Sequence, residues 1–350
     1  MIFFITAFRR VVTTSAVTAA VAFAPVFTVI AGAVTLSGAG ATFPQPLYER
    51  YFAQIKQKYP DLLVNYQGIG SGGGIKQMTA NAVDFAASDA AMTDSEMSQV
   101  NRGVVFIPAA GGAIAVVYNA PGISNLKLSR AVLPAIFSGQ ITNWNDPKIA
   151  ADNSGVNLPS LPIKLVVRSD SSGTTFNFTN HLSATDPYFK GRIGPNKAPY
   201  WAGKPLKGKG NPGVAQIVKQ SPGTIGYVES AYAKTANLST ALVQNKQGNF
   251  VAPTLEEANK ALENLQFNDD FRVSFNKLGD PADGYPITAV TWLMVYKKYD
   301  QPGKADAVKK MVQWALTDGQ AINSSLEYTR IPQSVTQQVI QAVNSEVTGP

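Results

Sequence analysis

The 350-residue sequence predicts an α/β fold with mostly parallel strands, and three observations carry that prediction. Short apolar, strand-like runs alternate with stretches of helical periodicity along most of the chain. Three Gly/Ser/Thr segments each stand between a strand-like run and a helical one. The residues are 45% hydrophobic, ample for a core, and the length suggests about two domains.

The elements follow in order. Residues 34–36 form a short apolar strand that feeds the segment GAGATFP at 38–44. Leu47, Tyr51, Phe52 and Ile55 then recur at helical spacing behind Pro44, a residue suited to a helix start. Residues 62–66 alternate like a strand and lead into GIGSGGG at 68–74, with a helix expected over 74–81. Residues 83–89 read as a strand ending in Asp89, and 104–108 and 113–118 as two further strands. A helix is expected over 131–137 and a strand over 163–167, leading into RSDSSGTT at 168–175 and a helix over 176–182. Residues 190–213 read as a Gly/Lys/Pro-rich loop, 214–220 as a short helix and 224–228 as a strand. A strong strand at 287–296 and amphipathic helices around Val308–Leu316 and Val335–Val343 complete the chain. No internal repeat and no long linker interrupts the pattern.

Arg9-Arg10 is followed by an uncharged stretch to Ala33 that ends in Ala31-Gly32-Ala33. This is the pattern of a secretory signal peptide, 1–33, cleaved near Ala33. About 20 apolar residues could also span a bilayer, but Pro25 and the Ser/Thr/Ala content make a poor anchor. Removing Arg9 and Arg10 with the signal lowers the formal charge from +7 to +5. That balance is compatible with a membrane surface or a small anion. Aromatics do not interleave with a dense Lys/Arg stripe, so no nucleic-acid partner is expected. There is no cysteine and one histidine, so no clustered transition-metal site and no cofactor is expected.

The first N–H groups of a helix have no intrahelical partner and carry partial positive charge, so a small oxyanion suits them. In open α/β sheets ligands sit outside the carboxyl ends of strands, where all three glycine segments and Asp89 fall. Each feature alone has a plainer reading: a flexible loop, a surface ion pair at Arg168, a turn or cap at Asp89. Together they predict an oxyanion site. His181 and the four tryptophans, Trp144, Trp201, Trp292 and Trp314, are read as packing residues. Lys204, Lys207 and Lys209 are read as a solvated loop.

At LSGAGATFP (36–44), NYQGIGS (65–71), DFAASD (84–89) and GTIGYVE (223–229) the sequence resembles the phosphate-binding subunits of bacterial Pst phosphate ABC transporters, in order through the whole mature chain. The resemblance implies a type II periplasmic-binding-protein fold: two α/β lobes, a ligand cleft and a two-strand hinge. Lobe I would combine 34–110 with 284–350, and lobe II would be 111–283. It implies a periplasmic, non-enzymatic, monomeric receptor that passes inorganic phosphate to the permease and ATPase subunits of a transporter. Carried over by position, the phosphate ligands would be Thr42, Phe43, Ser71, Asp89, Arg168, Ser172, Gly173 and Thr174, with Asp170 orienting Arg168. The family often has a second basic residue where Val167 stands, and a glycine where Ser171 stands; neither position is a ligand.

The residue types suit the chemistry. Arg168 offers a planar, permanently charged fork, the hydroxyls are compact donors, and glycines allow close backbone approach. An ionised Asp89 can only accept hydrogen bonds. It would repel sulfate but accept the proton of monohydrogen phosphate, and such an unpaired acceptor can discriminate by ~10⁴–10⁵. The alternatives are a binder of sulfate or molybdate, or a secreted phosphatase.

Overall fold

Hydrophobic alternation and glycine placement resolve into twelve strands among the described residues, 33–350, of the computed structural model. They are β1 (Val34–Gly40), β2 (Leu62–Gly68), β3 (Phe85–Ser88), β4 (Val104–Asn119), β5 (Lys127–Leu128), β6 (Lys164–Arg168), β7 (Leu206–Gly208), β8 (Thr224–Glu229), β9 (Ser239–Thr240), β10 (Leu242–Gln244), β11 (Phe250–Val251) and β12 (Thr288–Tyr296). The predicted signal peptide lies, apart from Ala33, outside the described residues. The remainder packs as one compact unit.

The main sheet has the order β2-β1-β3-β12-β4-β8-β6-β7, with β9 also pairing with β4. β1 is parallel to β2 and β3, and β6 is parallel to β7 and β8. The two central strands break the expected rule. β12 is antiparallel to both β3 and β4, and β4 is antiparallel to β8. The sheet is therefore mixed rather than mostly parallel.

The strands expected at 104–108 and 113–118 are one. β4 runs unbroken for 16 residues despite Pro108 and the pair Gly111-Gly112. Its pairing with β12 shifts between Thr291 and Trp292, which face Ala110 and Pro108, so Ala109 is an extra residue on the bulged strand. A bulge is where a strand tolerates proline. Residues 104–113 pair with β12, and residues 114–119 pair with β8. One strand thus carries both halves of the sheet.

The helices pack by their apolar faces. The helix Gln45–Lys58 starts behind Pro44 and buries Leu47, Tyr48, Tyr51, Phe52 and Ile55, while Lys56 and Lys58 occupy its last turn, where cations suit the dipole. The helix Lys304–Leu316 buries Val308, Met311, Val312, Trp314 and Ala315. All four tryptophans are buried, as expected. His181 is buried in the helix Gly173–Thr185, and its Nδ1–H donates to the Gly279 carbonyl at 2.8 Å. The region 190–213 is more ordered than a loop: it holds β7, and the helix Gly210–Gln220 begins inside it. Lys204, Lys207 and Lys209 there are exposed.

Candidate oxyanion site

Three helix starts converge at strand ends. The helix Gln45–Lys58 follows β1. The helix Ser71–Thr79 follows β2 and begins three residues earlier than expected, at Ser71 itself. The helix Gly173–Thr185 follows β6 and is capped by Ser172, whose hydroxyl accepts from the Thr175 N–H at 3.0 Å. Asp89 follows the last residue of β3. Gly70 supplies the positive φ (86°) that turns the chain from β2 into its helix. A Cβ there would fall 2.2 Å from Asp170 Oδ2, so this turn also requires glycine for close approach.

The eight sequence-predicted ligands are buried, and Asp170 beside them is half-buried. Arg168, the last residue of β6, places its fork on Asp170, with Nε–Oδ1 at 2.9 Å and Nη2–Oδ2 at 2.5 Å. Its Nη1 donates to Thr174 Oγ1 at 3.3 Å. Asp170 also accepts from the Gly210 N–H at 2.9 Å. Burial works against its charge, but Arg168 and that N–H hold its carboxyl below the usual range. Ser71 Oγ accepts from the N–H groups of Asp89 (3.2 Å) and Gly173 (3.1 Å). A Cβ on Gly173 would lie 2.5 Å from Ser71 Oγ and 2.8 Å from Asp89 Oδ2, so only glycine fits between them. Phe43 is buried, packs edge-on against Tyr328 and directs its carbonyl to the Tyr328 hydroxyl at 2.7 Å.

Residues that sequence reasoning missed complete the arrangement. Asn211 is fully buried and donates through its backbone N–H and its Nδ2 to Thr42 Oγ1, both at 3.0 Å. The same Nδ2 reaches Thr174 Oγ1 at 3.3 Å. Thr291, from β12, donates to Asp89 Oδ1 at 2.9 Å. Tyr232 donates to the Thr42 carbonyl at 2.6 Å. The run GKGNPG at 208–213, with Asn211 among glycines at a helix start, was the available signal for Asn211; Thr291 sits inside a continuous apolar strand and gives none.

Electrostatically the site is rich in donors and holds, beside the Asp170 paired with Arg168, one further carboxyl, Asp89. Burial pushes the Asp89 carboxyl up to about 7, against the lowering effect of the Thr291 hydroxyl, Arg168 and the Thr174 hydroxyl. A hydroxyl has one proton and two acceptor lone pairs. Thr42 and Ser71 each accept two N–H donors, which leaves each hydroxyl proton to be donated outward. The arrangement can therefore offer two hydroxyl protons and a guanidinium to an anion, beside a carboxylate suited to accept a proton from it.

The profile of a family described as the PBP superfamily domain matches residues 27–318. The chain is 39% identical over 326 residues to the phosphate-binding protein PstS of Pasteurella multocida, covering 92% of this chain and 93% of that one. It is 40% identical over 310 residues to the protein of the same name from Haemophilus influenzae, covering 87% and 91%. Among solved structures it resembles a high-affinity periplasmic phosphate-binding protein, PfluDING, bound with phosphate, with a TM-score of 0.71 at 22% identity over 88% of this chain and 94% of that one. It also resembles a phosphate-binding protein from Stenotrophomonas maltophilia, with a TM-score of 0.67 at 21% identity over 88% and 93%. These likenesses fit the two parallel strand groups joined through antiparallel β12 and β4, which is the type II periplasmic-binding fold.

Proposed function

We propose, for a chain that belongs to the PBP superfamily and within it to the PstS phosphate-binding proteins, that it binds inorganic phosphate in the periplasm and delivers it to an ABC permease for import. The observation that carries this reading is the proton count at the site. Thr42 and Ser71 have both lone pairs occupied by N–H donors, so each hydroxyl proton is free to be donated to an anion held beside Arg168 and Asp89. A monohydrogen phosphate satisfies every one of these groups. Its unprotonated oxygens take the donors, and its P–OH gives its proton to Asp89. Sulfate has no proton to give, so binding it would either leave the anion-facing oxygen of an ionised Asp89 without a donor or require Asp89 to take up a proton, and either costs affinity.

In this reading the ligands are Thr42, Phe43, Ser71, Asp89, Arg168, Ser172, Gly173 and Thr174, with Asp170 fixing the Arg168 fork. Thr42, Phe43, Ser71 and Asp89 lie in residues 34–110, and the others lie in 111–283. We place the lobes at 34–110 with 284–350 and at 111–283. The two connections are then the middle of β4 and the entry to β12, where Ala113 faces Thr288. Closure about these strands would bring the two groups together. Hydrogen bonds already cross between them: Gly72 N–H to the Ser171 carbonyl at 3.0 Å, Gly173 N–H to Ser71, and Asn211 to Thr42. The protein acts as a monomeric receptor, not an enzyme, after removal of a signal peptide near Ala33. Calorimetric titration of ligand-stripped protein tests the reading. One-to-one phosphate binding with no sulfate response is expected; equal affinity for the two anions would overturn it.

A further inference from the structure

Glu229 is a fully buried carboxyl that the anion site as derived above does not use. It ends β8, while Tyr328 approaches it from the C-terminal part of the chain. Oε1 accepts from the Ser230 hydroxyl and the Ala231 N–H, both at 2.9 Å. Oε2 lies 3.0 Å from the Tyr328 hydroxyl. That hydroxyl lies 2.7 Å from the carbonyl of Phe43. The Glu229 backbone N–H donates to Asn211 Oδ1 at 3.0 Å, which turns the Asn211 amide so that its Nδ2 faces Thr42 and Thr174.

A phenol has one proton, whereas a carbonyl and a carboxylate can only accept. That single proton cannot serve both acceptors, and the Phe43 carbonyl is the nearer of the two. The contact at Oε2 then requires a proton on the carboxyl, donated to the Tyr328 oxygen. The surroundings favour that neutral form. Asp89 acts on Glu229 with like charge. Tyr232, on the helix Ser230–Ala236, is in electrostatic range of Glu229, and also of Glu49, Arg168 and Asp89. Burial, opposed first by the Ala231 N–H and the Ser230 hydroxyl, pushes the carboxyl up to about 8.

We propose that Glu229 is a positioning residue of the anion site that works as a neutral carboxylic acid, its Oε2 proton going to Tyr328 and the Tyr328 proton to the Phe43 carbonyl. This relay pins the loop carrying Thr42 and Phe43 to the end of β8. Ionising Glu229 would draw the Tyr328 proton away from Phe43 and place a second negative charge beside Asp89 and the bound anion. Anion affinity therefore falls as Glu229 loses its proton. The inference rests on the reading of the site as a phosphate site.

The test compares phosphate affinity of the native protein and Glu229→Gln from about pH 6 to about pH 9.5 by calorimetry. The glutamine amide keeps a neutral donor toward Tyr328 at every pH. The variant is expected within about threefold of the native protein at the acidic end, while the native affinity falls at least tenfold more than the variant's by the alkaline end. Parallel curves overturn the proposal. A carbon-13 titration of the Glu229 carboxyl in the native protein decides the same point without a variant and without ligand: a protonated carboxyl at pH 7 is expected, and an ionised one overturns it. Absence of any phosphate binding by the native protein would sink the functional reading alone, because the carbon-13 result stands apart from it.

Discussion

Replacing Asp89 with asparagine removes a carboxyl acceptor from a site of donors. The side chain is almost completely buried, and its Oδ1 is held by Thr291 at 2.9 Å, a bond the asparagine oxygen can keep. The other oxygen borders the third loop, so the new amide would point an N–H where the P–OH of phosphate delivers its proton. A buried hydrogen bond to a charged group is worth roughly 1.5–3 kcal/mol, and about 1.4 kcal/mol is tenfold in affinity. Phosphate binding should weaken by about 10–150-fold. Sulfate meets the opposite change, losing a like charge and gaining a donor, so its affinity should rise. The ratio of the two affinities should shrink by ~100-fold or more. Calorimetry with both anions on native and Asp89→Asn protein, each with its fold verified by circular dichroism, reads the ratio directly. An unchanged phosphate-to-sulfate ratio would refute the assignment of Asp89 as the discriminating acceptor.

Gly173→Ala should abolish tight phosphate binding, because its Cβ would sit 2.5 Å from Ser71 Oγ and 2.8 Å from Asp89; retention of native affinity by titration would contradict the packed geometry of the third loop. Arg168→Lys keeps the charge but loses the two-pronged grip on Asp170 and the contact with Thr174, so affinity should fall by ~100-fold or more, and a loss under threefold would show that charge alone suffices. Asp89 and Glu229 sit above their ordinary values, at about 7 and about 8. The folded protein holds protons there that the unfolded chain releases, so the stability they contribute is present below the ordinary carboxyl range and is lost as pH rises through 7–8. The ligand-stripped protein should lose a few degrees of Tm between about pH 5 and about pH 8.5, and the double variant Asp89→Asn, Glu229→Gln should be flatter; equal slopes would contradict this. His181 acts in the opposite range: burial depresses it to about 4, so it costs stability as pH falls from about 6.5 toward 4, and His181→Gln should soften that acid loss in a thermal melt.

Much of the site was legible because it is built from local signals. A glycine loop between a strand pattern and a helix pattern places N–H groups at a strand end whatever the rest of the chain does. Arg168 and Asp170 are two residues apart, so their pairing could be read before any fold was known. Asn211, Thr291, Tyr232 and Tyr328 were not legible in the same way. They reach the site across long sequence separations, and Thr291 is hidden within a strand whose nine residues are all buried. Two features of the fold were not legible. Pro108 and Gly111-Gly112 look like a break, yet a bulge absorbs the irregularity and β4 continues. The direction of β12 could not be read from apolar content, because its partners β3 and β4 are about two hundred residues distant. Local periodicity reports which residues are strands, and strand direction depends on connections whose paths the sequence does not state.

The account is tested most directly by a high-resolution crystal structure of the mature protein with phosphate. The predicted result is one phosphate enclosed by Thr42, Phe43, Ser71, Arg168, Ser172, Gly173 and Thr174, with one phosphate oxygen at hydrogen-bond distance from Asp89 and no cation between them. A phosphate bound elsewhere, or Asp89 turned away from the anion, would contradict it.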